Sequence, residues 1–277
     1  MPLIDSHCHL NSKEFENNYK EIIADCLEKE IGLLNIGADF ETSKRAVEIA
    51  SEYPNKPIYA SIGMHPESIQ ENFDAEKFQK LINPKTVAVG EIGLEYFFDN
   101  KQELKEKQQE LFRQQLNFAI KNNLPVILHA RGSKLNPYDV YEDMLDILKK
   151  QEPARRSDNW SRWSEGGEKG VVHCFSASQE IAQKFLDLGF YIGLTGLITF
   201  KNKSVDSLRQ TVKMIPLERL LVETDTPYMT PEPHRGEKNL PQYTEFVARK
   251  LAAIKGVSYT EICKITTENF KKLFLKK

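Results

Sequence analysis

Short apolar runs rich in β-branched residues alternate along the chain with longer stretches whose apolar positions recur at helical spacing. The runs at 3–5, 32–36, 58–63, 86–91, 126–130, 170–174, 190–193 and 220–224 predict strands. Helical patterns follow them at about 16–30, 41–52, 74–82, 102–122, 138–150, 178–188 and 203–214, with a terminal pair near 241–254 and 258–275. Repeated strand–helix units predict a parallel sheet covered by helices. Eight of them without a break in composition predict one α/β domain over 1–277, a (β/α)8 TIM barrel. The competing architecture, a doubly wound open sheet, normally places a Gly-rich phosphate turn after its first strand. This chain has SHCHL there. Residues 151–169, QEPARRSDNWSRWSEGGEK, interrupt the pattern between the fifth helix and the sixth strand and predict an inserted loop. A helix-to-strand loop of a barrel emerges at the end opposite the active site, so its tryptophans, Trp160 and Trp163, are not expected to stack on substrate.

The length of 277 residues suits two ordinary domains or one barrel of about 250 residues, and the regular alternation favours the barrel. With 40% hydrophobic and 28% charged residues the chain can bury a large core, which excludes disordered and collagen-like classes. No apolar run approaches the roughly 20 residues that span a bilayer, and the start, MPLIDSHCHL, lacks the features of a signal peptide. Cys8, Cys26, Cys174 and Cys263 show no CxxC spacing, which predicts free thiols and a cytoplasmic location. Against 40 acidic residues the 38 Lys and Arg leave a net charge of −2, which excludes a wide basic surface that tracks along duplex nucleic acid.

The candidate chemistry lies where strands end. Alternate side chains of a strand share a face, so His7 and His9 project together, about 7 Å apart at Cα, with Cys8 facing away and Asp5 on the same alternation. His65, His129 and His173 also fall at or just beyond predicted strand ends, and none of the six histidines lies in a predicted helix. A lone strand-end histidine is most often a hydrogen-bonded structural residue. Five at one end of a barrel point to a shared site. Glu91 and Asp225 add carboxylates at the same end, where each alone could only cap a helix. The set His7, His9, Glu91, His129, His173 and Asp225 is a mixed nitrogen and oxygen donor set suited to Zn²⁺, Mn²⁺ or Mg²⁺. Six ligands exceed the needs of one catalytic ion, so two divalent ions about 3.5–4 Å apart are expected, with Glu91 as the bridge. Cys8 and Cys174 each neighbour a histidine in a strand and should face away from the site. Glu223, on the face of Asp225, is expected to orient a ligand from behind. A Ser–His–Asp triad lacks its GxSxG elbow, and no P-loop is present.

Seven motifs in order, DSHCHL, IGMHP, VGEIGLEY, LHARG, VVHCFS, VETDTPY and PHRGEKNLP, resemble the TatD family of metal-dependent deoxyribonucleases over roughly residues 5–241. The resemblance implies a barrel of the metallo-dependent hydrolase superfamily that cleaves phosphodiester bonds, in a 3'-5' exonuclease-like manner, at single-stranded DNA ends. It implies His7, His9 and Asp225 as ligands of one ion, His129 and His173 as ligands of the other, and Glu91 as the bridging carboxylate. His65 matches a histidine near the substrate phosphate, and Arg235 and Asn239 match an RGxxN segment suited to holding a phosphate, with His234 beside them. Glu91, Asp225 and His65 are the expected catalytic residues, Asp225 as acceptor of a water proton. Substrate binding is assigned to His65, His234, Arg235 and Asn239. Two ions together with Arg235 would supply the positive charge that composition lacks. Hydrolysis of an ester or amide, such as deacylation of D-aminoacyl-tRNA, is the alternative on the same centre. Neither an obligate protein partner nor a membrane is expected. Glu95 stands where the family usually has Asp, and the segment ARGSKLNPYDVYEDM, with Lys134 and Tyr138, is longer than usual on the catalytic face.

Overall fold

Eight strands that are buried along nearly their whole length can satisfy their backbone only by pairing with each other. They do so in chain order: β1 (Leu3–Cys8), β2 (Ile31–Asn35), β3 (Ile58–Ile62), β4 (Thr86–Glu95), β5 (Val126–Arg131), β6 (Gly170–Val172), β7 (Phe190–Leu194) and β8 (Leu220–Val222), each parallel to the next. The last strand returns to the first. Asp225 N–H donates to the His7 carbonyl (2.9 Å), His9 N–H to that of Thr226 (3.0 Å), and the Ser6 hydroxyl to that of Val222 (3.0 Å). The result is a nearly closed (β/α)8 barrel, as the alternating pattern predicts. The computed structural model describes residues 2–70, 72–98, 101–150, 162–163 and 166–275.

Around the strands pack α1 (Tyr19–Glu28), α2 (Phe40–Ser51), α3 (Ala75–Gln79), α4 (Gln102–Lys121), α5 (Asp139–Lys150), α6 (Gln179–Asp187), α7 (Asp206–Met214), α8 (Thr244–Lys255) and α9 (Tyr259–Phe270). A core cluster drawing Ile4, Leu34, Val87, Ile127, Val171, Tyr191 and Leu221 from the strands fills the barrel, and Phe270, Leu273 and Phe274 of the C-terminal segment close it from below. The larger cluster lies between strands and helices, with Phe112, Met144 and Phe185 as helix contributions. Among the described residues no helix is long and apolar enough to cross a membrane.

The structure moves several boundaries. Strand β4 runs four residues past its predicted end because IGLE continues the buried run. Gly93 makes this possible: at φ 145° it passes so close to β5 that a Cβ would stand 2.1 Å from the His129 carbonyl oxygen. Strands β6 and β8 instead stop two residues early, just before Cys174 (φ 46°) and Asp225 (φ 60°) turn into the left-handed region. Helix α3 keeps only five residues, started by Asp74 accepting from the N–H groups of Glu76 and Lys77. Of the insertion expected at 151–169, residues 151–161 and 164–165, Trp160 included, lie outside the described residues. Trp163 is buried with its indole N–H on the Leu124 carbonyl (3.1 Å), and Arg162 Nε donates to Asn123 O (2.8 Å). Both anchors precede β5, at the end of the barrel away from the histidines.

Candidate metal centre

Strand ends bring the donors together because parallel strands of a barrel all finish at one rim. The His7 and His9 Nε2 atoms stand 3.2 Å apart, and Glu91 Oε2 lies 3.4 Å and 3.8 Å from them. Asp225 Oδ1 is 3.8 Å from His7 Nε2, 3.6 Å from His9 Nε2 and 3.8 Å from His173 Nε2. On the other side Glu91 Oε1 is 2.6 Å from His129 Nδ1 and 3.9 Å from both His65 Nε2 and His173 Nε2. The rings of His7 and His173 stack at 3.5 Å between centroids, and His65 meets His129 edge-on at 4.3 Å. Three sets of donors are close enough to share an ion: His7, His173 and Asp225; His7, His9 and Glu91; and His65, Glu91 and His129. Glu91 belongs to two of them, the place a bridging carboxylate would take.

The donor set fits a small divalent cation. Ligand atoms bonded to one ion at about 2.0–2.2 Å are held roughly 3 Å from each other, close to the spacing of the nitrogen and oxygen atoms here. His9 Nδ1 faces the Ile36 carbonyl at 3.2 Å, which fixes its proton there and leaves the Nε2 lone pair aimed into the cluster. The charge pattern also calls for a cation. Burial drives His129 down, but the carboxylates of Glu91 and Glu95 outweigh it and raise the ring to about 9. His173 is likewise driven down by burial and raised on balance, to about 10, by Glu223, Asp225 and Glu91. Burial opposes ionisation of Glu91, yet contact with His7 and the charges on His129 and His173 hold it well below the carboxylate range. Without metal, protons on His129 and His173 therefore supply positive charge that an ion would replace. Metal uptake at neutral pH is expected to release up to two protons, one from each ring, and the apparent affinity is expected to fall as pH falls. Calorimetric titration of divalent metal in buffers of different ionisation heat checks this; a heat independent of buffer would contradict it.

Side chains behind the donors hold them in place. Glu223 is fully buried, lies 2.9 Å from His173 Nδ1, out of line for a hydrogen bond but at ion-pair distance, and accepts from Cys174 N–H (2.7 Å). This is the supporting position expected for it. Glu223→Gln keeps the volume and removes the charge. Metal affinity should drop about 10–100-fold, measured by competition with a chromophoric chelator, and unchanged affinity would remove Glu223 from this role. Asp5 does not join the donors. Its carboxylate accepts from Thr224 N–H (2.8 Å) and the Thr224 hydroxyl (2.6 Å) beneath them, and burial pushes its pKa up to about 8. Cys8 Sγ turns away to the Leu34 carbonyl, and Cys174 Sγ to the Thr195 hydroxyl. Glu95 reaches the centre from the extended end of β4: Oε2 is 3.2 Å from His129 Nε2 and Oε1 accepts from Phe97 N–H (2.7 Å). Both nitrogens of His129 thus face carboxylates.

His65 differs from the other imidazoles. Its Nδ1 accepts from Glu67 N–H (3.3 Å), and burial, with the neighbouring His129, lowers its pKa to about 3. It is neutral, with Nε2–H turned towards Glu91 as a donor. In the β8–α8 segment Arg235 stacks 3.8 Å over the Phe200 ring and remains open to solvent. Asn239 does not reach a substrate: it is fully buried and its amide donates to the carbonyls of Thr224 (2.9 Å) and Tyr228, so it braces the loop. His234 is also engaged locally, stacked on Tyr243 at 4.2 Å with Nδ1 3.0 Å from Glu237 Oε2. Sequence reasoning missed Phe200 and Thr224. Nothing local marks the first, whose partner is 35 positions away; Thr224, inside VETDT, carried a weak signal as a hydroxyl between the supporting Glu223 and the ligand Asp225.

The chain matches, over residues 4–275, the family model described as TatD related DNase. It is 38% identical over 278 residues to YabD, an uncharacterized metal-dependent hydrolase of Bacillus subtilis, covering 98% of both chains. It is 35% identical over 279 residues to YcfH of Escherichia coli K12, also an uncharacterized metal-dependent hydrolase, covering 99% of this chain and 96% of that one. The crystal structure of YjjV, a TatD homologue from Escherichia coli K12, superposes with a TM-score of 0.83 at 30% identity, covering 99% of this chain and 98% of the other.

Proposed function

The chain belongs to the TatD family of metal-dependent hydrolases, and from that premise we propose that it is a deoxyribonuclease that removes nucleotides from single-stranded DNA ends in the 3'-5' direction. His7, His9 and Asp225 would hold one divalent ion, His129 and His173 a second, with Glu91 between them. Such ions lower the pKa of water and offset negative charge on phosphoryl oxygens. The observation that carries the reading is that Glu91 turns one oxygen to His7 and His9 and the other to His129, because a carboxylate shared between two ions suits in-line displacement at phosphorus.

The residues of the chain divide the remaining work. Asp225, at the open side of the cluster, accepts the proton of the attacking water as oxygen bonds to phosphorus. His65, neutral and presenting Nε2–H, donates a hydrogen bond to a phosphate oxygen or to the departing sugar oxygen as the phosphorus–oxygen bond breaks. Arg235, steadied on Phe200, meets a phosphate through its guanidinium. The test strips the protein with EDTA, restores Zn²⁺, Mn²⁺ or Mg²⁺ singly, and follows initial rates on end-labelled single strands, duplex, D-aminoacyl-tRNA and simple esters. Stepwise shortening of single strands from the 3' end is expected. Negligible DNA turnover with every metal, beside faster ester cleavage, would move the assignment to ester hydrolysis.

A further inference from the structure

Among the described residues, Phe98, Leu135, Tyr138, Met214 and Tyr228 are the large apolar side chains most open to solvent. All but Met214 lie on the loops after β4, β5 and β8, at the end of the barrel that carries the metal centre. Apolar groups gathered at one end, rather than scattered, mark a contact surface. After β4 and β5 they come with cations. The Arg131 guanidinium stacks 3.9 Å from the centroid of Phe97 and 5.0 Å from that of Phe98, and Lys134 Nζ stands 4.9 Å from Phe97. The two phenyl rings meet edge to face at 5.3 Å, and Phe98 remains 65% exposed. Arg131 Nη1 is 3.9 Å from Glu95 Oε2, which in turn touches His129, so this patch begins one side chain away from the donors.

We infer that Phe97, Phe98, Arg131 and Lys134 form a stacking platform for the unpaired bases of a nucleic-acid strand beside the scissile phosphate, an inference that rests on the phosphodiesterase reading of the centre. The occupant follows from chemistry. An exposed aromatic ring offers its face to any base, but only an unpaired base has a face to give, since bases in a duplex are stacked on each other. Arg131 and Lys134 supply the positive charge that the strand's phosphates require, in a chain whose net charge of −2 provides no broad basic surface. The platform thus accounts for selection of a single strand over a duplex by contact with bases.

The experiment uses the Phe98→Ala variant, whose altered side chain is exposed and lies outside the donor set. Binding is read by fluorescence anisotropy in EDTA, which stops turnover, with a short dye-labelled oligothymidylate and an abasic strand of equal length. Activity is read with restored metal on the oligothymidylate and on bis(p-nitrophenyl) phosphate. Affinity for the oligothymidylate should weaken about tenfold or more, with abasic binding and small-diester hydrolysis unchanged. Equal affinity of variant and wild type for the oligothymidylate overturns the platform, as does equal weakening on the abasic strand. A changed oligomeric state with unaltered DNA affinity also overturns it and assigns the surface to a second copy of the chain. The two readings separate cleanly. Wild-type protein that hydrolyses neither DNA nor the small diester, yet binds oligothymidylate through these rings, removes the nuclease reading alone; unimpaired DNA binding and cleavage by the variant removes the platform alone.

Discussion

Glu91→Gln is expected to lower metal-supported hydrolysis on the order of 10³-fold, about 4 kcal/mol in activation free energy, while the barrel remains folded. The carboxylate lies within 4 Å of His7, His9, His65, His129 and His173, more of the cluster than any other side chain reaches. Glutamine keeps the shape and one oxygen but loses the charge, and with it the means of serving two ions at once. The change also shows in the metal-free protein. Because Glu91 is the main cause that holds the His129 pKa up, removing its charge lets His129 lose its proton at lower pH. That release limits the damage to folding: a buried charge left without its partner costs about 3–5 kcal/mol, but an imidazole escapes most of this by becoming neutral. Elemental analysis, metal-titrated kcat/KM and thermal melting together check the prediction. Activity within tenfold of wild type at unchanged metal content would mean that Glu91 does not bridge.

The barrel and the gathering of histidines were legible in the chain because both depend on periodicity. Buried parallel strands leave apolar runs, and residues at their ends share a rim whatever else the chain contains. What a polar side chain does once it arrives is a different matter. Arg235 and Asn239 stand in one short segment and read alike, as donors for phosphate. In three dimensions Asn239 is drawn inside to satisfy the Thr224 and Tyr228 carbonyls, while Arg235 is carried onto Phe200, a residue of a different loop. Those carbonyls become orphan acceptors only once β8 stops short and turns, an event no local pattern announces. The longer β4 has a similar origin. Its end depends on Gly93 slipping past the His129 carbonyl, and that close approach brings Glu95, which the sequence left without a settled role, against His129.

Asp225→Asn should cost about 10²–10⁴-fold in kcat, the range for loss of a positioned proton acceptor. Of the two carboxylates in the cluster Asp225 is the more open, with 15% of its side chain exposed against 5% for Glu91, so it is the one a reacting water can approach. Burial opposes its ionisation, but the charge on His173 and contacts with His9 and His7 hold its pKa below the usual value, so at neutral pH it is ready to accept a proton. Asparagine is the informative replacement because it tolerates the left-handed backbone at this position and preserves the turn in which Asp225 N–H donates to His7 O and Tyr228 N–H to Asp225 O. What changes is basicity. If Asp225 acts chiefly as the base, the variant keeps its metal and KM while kcat collapses; if it acts chiefly as a ligand, metal content falls and excess metal restores part of the rate. Elemental analysis beside rates at rising metal concentration distinguishes the two, and a kcat within about threefold of wild type would exclude both roles, since either one alone contributes more than that.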